Sequence, residues 1–396
     1  MEKNVEKSID TLAVHGGEEE KHASNSITAP IFQTTIFSMD SFADLRRYGL
    51  GQAPELNLYV RGDNPTRDVA ARKIAALEGA EDGLVTSSGT AASFVIAISL
   101  LEAGDEIISM ETVYGGTYRL MRDVLPRLGI VTRFLRGDDL ELIPSLISER
   151  TRMLWIESPT NPLNRVVDLR RAAMLAREHG LVSVVDNTFA SPVNQRPISL
   201  GFDVVMHSAT KYLAGHSDVL AGAVCGRAEV IAKVRKMLVA TGAVLDPSAA
   251  ALLIRGIKTL DVRVGRVNSN AQKLAEFFAT HPKIARVYYP GLESSPDHGT
   301  ARGQMTGFGG VVSVDLAEGS EAAAERLSDA LRIIRISTSL GGTETVVTYP
   351  IYTSHSGYSD EELARAGVGR GTLRFSVGIE SAEDLIGDVA RALEAV

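Results

Sequence analysis

The chain has 396 residues, 44% of them apolar and 23% charged, with a formal charge of −8 at pH 7. That length exceeds one ordinary domain, the balance is that of a globular protein, and the acidity disfavours nucleic acid or an anionic membrane as partner. No apolar run is long enough to span a bilayer, the start MEKNVEKSID lacks an apolar signal stretch, and the single cysteine, Cys225, excludes an intrachain disulfide, so a cytoplasmic protein is expected.

Residues 1–60 hold no long periodic segment and include the turn-rich RYGLGQAPELN, so they read as an arm that cannot build its own core. Over 61–255, helix-like stretches (RDVAARKIAALEG, RRAAMLAREHG) alternate with short apolar runs (DEIISM, RMLWIE, LVSVVD, DVVMHS, LAGAVCG). This is the pattern of an α/β fold, a mostly parallel sheet covered by helices on both faces. Cys225, inside LAGAVCG, reads as core packing. The stretch LLIRGIKTLDVRVGRVNSNAQKLAEFFATHP predicts one long helix crossing to a second unit. After it come a strand at GGVVSVDL, a helix at SEAAAERLSDAL, strands near RIIRIS and GTLRFSVGI, and a last helix, SAEDLIGDVARALEAV. Residues 256–396 are therefore expected to form a smaller C-terminal α+β domain. No repeat or low-complexity tract is present.

Open parallel sheets bind ligands where their strands end. DGLVTS is followed by Ser87-Ser88-Gly89-Thr90 and a helix, a turn that offers free N–H groups and a positive dipole end to an anion. RMLWIE leads to Ser158-Pro159-Thr160-Asn161-Pro162, and LVSVV to Asp186-Asn187-Thr188. VVMH leads to Ser208, Thr210 and Lys211. Taken singly these are an N-cap, ordinary turns and a snorkelling lysine. Together, the strand ends deliver an anion cradle, an amide, a carboxylate and an amine to one rim.

One cofactor suits those groups. Pyridoxal 5'-phosphate (PLP) needs a lysine for a Schiff base, an anion near the ring nitrogen, hydroxyls and N–H groups for its phosphate, and a partner for its ring hydroxyl. Tyr114, after DEIISM, could stack on the ring. A nicotinamide cofactor fits worse, since no GxGxxG opens a helix after the first strand. No HxH or HxxxH spacing suggests a metal, and His207 reads as a packed core histidine.

The motifs YVRGDNPTRDVAARKIAALEG, SSGTAA, VYGGTYRL, ESPTNPL, VVDNTFASP, HSATKYLAGHSDVLAG, SLGGTET and TLRFSVGIE resemble the PLP enzymes of cysteine and methionine metabolism, along essentially the whole chain. These include cystathionine γ-lyase, cystathionine γ-synthase and methionine γ-lyase. The resemblance implies a fold-type I PLP-dependent enzyme with a PLP-binding domain over 61–255, and a homotetramer made of two close dimers. It implies Lys211 as Schiff-base lysine and proton shuttle, Asp186 against the ring nitrogen, and Tyr114 on the ring as a proton donor. It also implies Ser88, Gly89, Thr90, Ser208 and Thr210 at the phosphate and Asn161 at the ring hydroxyl. Tyr59 and Arg61, in the 1–60 arm, would reach the phosphate in the neighbouring subunit. Arg374, assisted by Ser339, would hold the substrate carboxylate. Independently of the family, an arginine inside an apolar strand is costly unless it meets an anion.

Several positions depart from the family pattern. Gly116 stands where methionine γ-lyases carry a cysteine, and Thr90 and Val60 are unusual. Thr353-Ser354-His355 makes a more polar wall. Arg119 matches an arginine able to meet a distal substrate carboxylate, and Glu344 matches a glutamate able to steer a distal amino group. The expected reaction is γ-elimination from a cystathionine- or methionine-type amino acid, giving 2-oxobutanoate, ammonia and a thiol. The alternative is γ-replacement on an O-acyl-L-homoserine, and the remote one is PLP binding without turnover.

Overall fold

Strands β1 (Asp82–Thr86), β2 (Glu106–Met110), β3 (Val131–Leu135), β4 (Thr151–Glu157), β5 (Val182–Asp186), β6 (Val204–His207) and β7 (Gly222–Gly226) form one sheet in the order β1-β7-β6-β5-β4-β2-β3. The computed structural model describes residues 7–18, 22–356 and 358–396, so residues 1–6 and 19–21 of the expected arm lie outside it. Strands β2 to β6 pair parallel, whereas β7 runs antiparallel to both β6 and β1. The reversal has a simple cause: 208–221 returns the chain to the sheet without the helical crossover that parallel neighbours need.

Both faces of this sheet are covered. Ala92, Val95 and Ile96 of the helix Gly89–Leu100, with Leu169 and Ala172 of Leu169–Glu178, pack on one face around Trp155. Val69 and Ile74 of Pro65–Glu78, Leu253 of Pro247–Ile257 and Val264 of Leu260–Thr280 pack on the other, together with Cys225. Cys225 is fully buried and burial pushes its thiol pKa well up, so it is core packing as its sequence context predicted. A strand the sequence reading left out, β3, closes one edge of the sheet; it alternates exposed and half-buried residues, so no apolar run marked it.

The predicted long helix over 252–282 is two helices. Pro247–Ile257 ends, and Leu260–Thr280 begins after a tight turn. The Gly256 carbonyl accepts from the Thr259 N–H at 3.2 Å and from Arg263 Nη2 at 2.7 Å, so a local turn and a side chain take the acceptor that a continuing helix would use. Beyond the break lies a second sheet, order β10-β11-β12-β9-β8, built from β8 (Ile284–Tyr288), β9 (Val311–Leu316), β10 (Arg335–Ile336), β11 (Val346–Thr348) and β12 (Thr372–Ser376). Its core joins Leu274 and Phe278 of Leu260–Thr280 to Leu327 of Glu321–Ala330 and Val389 of Ala382–Leu393.

The arm has a different character. No residue of its helix Phe42–Gly49 is buried, and Ile27, Ile36 and Phe42 are 91%, 69% and 84% exposed. Among the described residues, no helix is long and apolar enough to cross a membrane.

Two glycines set how closely elements meet at the site. A Cβ at Gly222 would lie 2.2 Å from the Ser88 carbonyl oxygen, and one at Gly256 would lie 2.1 Å from that of Ala214, in the turn after Lys211. Backbone cannot yield as a flexible side chain does. Gly256→Ala is therefore expected to destabilise the protein by about 1–3 kcal/mol, read as a lower urea midpoint in the fluorescence of Trp155, the sole tryptophan. An unchanged midpoint would show that the contact is slack.

Candidate active site

The strand ends of the larger sheet converge as the sequence pattern implied. After β1, Ser88 caps the helix Gly89–Leu100: its backbone is extended and its hydroxyl accepts the Ala91 N–H at 3.1 Å. The first N–H groups of that helix stay available to an anion. Gly89 lets the helix start press on the turn after β6, because a Cβ there would lie 2.8 Å from Ser208 Cβ.

Asp186 ends β5 and is buried. One of its oxygens accepts both the N–H of Thr188, at 3.0 Å, and the Thr188 hydroxyl. The Thr188 oxygen in turn accepts the Ser208 N–H at 2.8 Å, which ties β5 to the turn after β6. Burial raises the pKa of the Asp186 carboxyl, opposed by the Thr188 hydrogen bonds and the charge of His207. Among the described residues, no hydrogen bond reaches the second oxygen of Asp186.

Lys211 points into the cavity and donates from Nζ to the Ser339 hydroxyl at 2.6 Å. Burial first, and then the positive charge of Arg374, lower its pKa to about 8. Arg374, on β12, is 3% exposed. It donates from Nη1 to Asn161 Oδ1 and from Nη2 to the Ser339 carbonyl, both at 2.8 Å. Its Nε is buried without a hydrogen-bond partner, and among the described residues no carboxylate pairs with it. A buried guanidinium bonded only to neutral oxygens, with one N–H idle, is a receptor for an anion. Ser339 links the two cations from a left-handed backbone, φ +75°, a conformation rare for a residue with a Cβ.

One cavity of about 340 Å³ gathers Ser88, Gly89, Thr90, Tyr114, Arg119, Asn161, Asp186, Ser208, Thr210, Lys211, Ser339 and Arg374. Tyr114 leans over Gly116, where a Cβ would lie 2.4 Å from its ring. Thr210 lines the cavity, yet its hydroxyl donates to the Ala221 carbonyl and accepts the Ala221 N–H, so its proton is already committed to the backbone. Tyr59 and Arg61 lie apart from this cavity, exposed, with the Arg61 guanidinium 5.7 Å from the Tyr59 ring centroid. Glu344 also stands off the lining, where it accepts the Thr343 hydroxyl at 3.0 Å. His207 is a packed histidine, 1% exposed. Among the described residues, no group of His, Cys, Asp and Glu could hold a metal ion.

Two contributors stand in the quoted motifs without a role assigned from sequence. Glu157, the last residue of β4, accepts the Tyr114 N–H at 2.6 Å and lines the cavity; its signal was an acid closing an apolar strand. Thr188 holds Asp186 from two residues away, the short-range pattern of a hydroxyl closing a turn. The donor set fits PLP. Helix N–H groups and Ser208 could take a phosphate, the open oxygen of Asp186 a protonated ring nitrogen, and the Lys211 amine an aldehyde.

A profile of the Cys/Met metabolism PLP-dependent enzymes matches residues 10–394. The chain is 40% identical over 388 residues to a cystathionine beta-lyase of Lactococcus lactis subsp. cremoris, covering 98% of this chain and 99% of that protein. It is 41% identical over 392 residues to an L-methionine gamma-lyase of Fusobacterium nucleatum subsp. polymorphum, covering 98% of each. It is 39% identical over 392 residues to cystathionine gamma-synthase 1, chloroplastic, of Arabidopsis thaliana, covering 98% of this chain and 69% of that protein. The solved structure of cystathionine gamma-lyase from Lactobacillus plantarum complexed with L-serine superposes with a TM-score of 0.91 at 33% identity, covering 98% of this chain and 99% of that one. The fold is thus that of the fold-type I PLP enzymes, and the chain belongs to the Cys/Met metabolism PLP-dependent enzyme family.

Proposed function

We propose that the protein is a carbon–sulfur lyase that carries out γ-elimination on an amino acid of the cystathionine type, giving 2-oxobutanoate, ammonia and a thiol. The observation that carries this reading is the presence of two guanidinium groups, Arg374 and Arg119, in one cavity with Lys211. Two separate arginines suit a substrate with a carboxylate at each end better than methionine, which has one. The relatives, whose names span lyases and a synthase, support the chemistry and leave the reaction open.

PLP supplies an electron sink for charge developing at the substrate α-carbon. Arg374 takes the α-carboxylate in a bidentate pair, and Asn161 and Ser339 fix the guanidinium plane. Lys211 Nζ, with its pKa lowered to about 8, can accept the α-proton in its neutral form, which grows as pH rises through that value, and move a proton at the neighbouring carbon. Asp186 would hold the ring nitrogen of bound PLP and the start of the helix Gly89–Leu100 its phosphate, and Tyr114 would donate a proton to the departing sulfur. Arg119 holds the distal carboxylate. The exposed arm packs on a second copy of the chain, carrying Tyr59 and Arg61 to that copy's phosphate, and two such dimers pair as a tetramer. A second reading, γ-replacement, is favoured by the same Arg119, since the distal carboxylate of O-succinyl-L-homoserine would fill the same place.

The deciding measurement offers the holoenzyme L-cystathionine, L-methionine, and O-succinyl-L-homoserine with L-cysteine. 2-Oxobutanoate from cystathionine is expected. Pyruvate instead would establish β-elimination, and a thioether from the acylhomoserine would establish replacement. Arg119→Ala should raise KM for cystathionine about tenfold or more, the scale of a lost charge-assisted pair, and leave methionine unaffected. An equal effect on both substrates would remove Arg119 from the distal site.

Lys211 in the cofactor-free protein should react with acetic anhydride with a midpoint near pH 8, against 10.5 for an ordinary lysine. Arg374→Ala removes a neighbouring cation, favours the ammonium, and should move that midpoint up. Peptide mass spectrometry reads both, and a midpoint near 10.5 in the unaltered protein would argue against Lys211 as a neutral base. Finally, refolding Arg61→Ala together with Lys211→Ala should recover up to about a quarter of full activity, since random pairing makes half the dimers hybrids with one intact site. No recovery beyond the separate variants would place Arg61 outside a shared site.

A further inference from the structure

On the face of the larger sheet turned away from the cavity lies a buried group that the proposed reaction does not use. Met206 lines the cavity, so His207, next along β6, points to the opposite face. There it meets Glu78, the last residue of the helix Pro65–Glu78, with Nε2 to Oε1 at 2.6 Å. The same Oε1 accepts Asn187 Nδ2 at 2.9 Å. Glu78 and His207 are each 1% exposed, and Glu78 Oε2 is buried with no hydrogen-bond partner. A single carboxylate oxygen thus ties the residue after Asp186 to the residue before Ser208. The Asn187 amide is fixed in turn by Gln195, through its side chain at 3.0 Å and its carbonyl at 2.8 Å.

The groups around this pair offer Glu78 no second cation. Asp186 comes from β5, the Cys225 thiol of β7 is kept neutral by burial, and Asp82 on β1 holds the nearby Arg235 in an ion pair of its own. Among the described residues, the ion-pair partner of Glu78 is His207, with no lysine or arginine in reach. A buried carboxylate with half its acceptor capacity idle is costly unless a positive charge faces it, and the imidazole is the group placed to carry one.

We infer that Glu78 and His207 form a buried ion pair whose imidazolium keeps Asp186 ionised, which makes both of them positioning residues for the protonated ring nitrogen of the cofactor. Burial alone would drive Asp186 toward its neutral acid, and the charge of His207 is one of the influences that oppose it. The inference rests on the placement of Asp186 against that nitrogen. The pair touches neither cofactor nor substrate; it acts through the carboxylate, by field and by anchoring the ends of β5 and β6.

The test uses holoenzyme loaded with PLP labelled with ¹⁵N in the ring, whose NMR shift reports the proton on that nitrogen. Glu78→Gln keeps the shape and an acceptor for Asn187 but removes the charge; His207→Gln keeps a donor toward Glu78 but removes the cation. In both, the pH midpoint for loss of the ring proton is expected to fall by about one unit, a tenfold change in the protonated fraction above the midpoint. A fall in kcat at nearly constant KM should accompany it. If either folded variant keeps the unaltered midpoint, the pair is merely structural, whatever happens to its melting temperature. Asp186→Asn separates the two layers: an unchanged ring nitrogen in that variant would sink the placement of Asp186 itself. Loss of the ring proton there, with none in the Glu78 and His207 variants, would sink this inference alone.

Discussion

Lys211 and Arg374 hold two positive charges around one serine, and much of the site follows from keeping them there. The Ser339 hydroxyl takes the amine while its carbonyl takes the guanidinium. Two cations in a dry pocket repel, and the more easily neutralised one yields: Lys211 falls to about pH 8. Burial does most of this, and the charge of Arg374 adds to it, so a contact that would be weak as structure helps to create a base. The left-handed backbone of Ser339 lets one residue present both oxygens at once, a strained arrangement that the packing of Gly341 against the Lys211–Tyr212 backbone holds in place.

The pocket as a whole is built to receive anions. A helix start, Arg374 and Arg119 supply positive potential, and the idle Nε of Arg374 shows that protein groups do not exhaust it. Asp186 is the exception, a buried carboxylate set where the proposed function puts a positive ring nitrogen. The protein can keep such a group ionised only with donors and charge behind it, which Thr188 and His207 supply from opposite sides of the sheet. Chemistry on the ligand face thus depends on polar groups packed into the reverse face.

The sequence made the larger sheet and its working rim readable because both rest on local rules. Short apolar runs marked the buried strands, and the rule that ligands sit at strand ends picked out Asp186, Ser208 and Lys211. Arg374 stood out as an arginine in an apolar strand. Two of the four edge strands did not show, since β3 and β8 are partly exposed and carry no apolar run. The break near Thr259 was hidden because what takes the Gly256 carbonyl is the Thr259 N–H of a turn and the Arg263 side chain, neither of which has the sequence mark of a proline. Glu78 with His207 was equally silent: the two lie 129 positions apart, and neither has a local signature. Glu344 matched a motif yet sits off the cavity, because a motif fixes order along the chain and not the direction a loop turns.

The Asn161–Arg374 hydrogen bond joins residues 213 positions apart. During synthesis the chain therefore makes its helix cradle, carboxylate and lysine long before the arginine that lowers the lysine's proton affinity. Domains fold as units as they emerge, N-terminal first. A nascent chain that has folded the larger sheet alone holds a lysine with one of its two depressing influences missing. The second sheet therefore lowers the proton affinity of an existing amine, and the pocket gains its buried guanidinium only with the last strand of the protein.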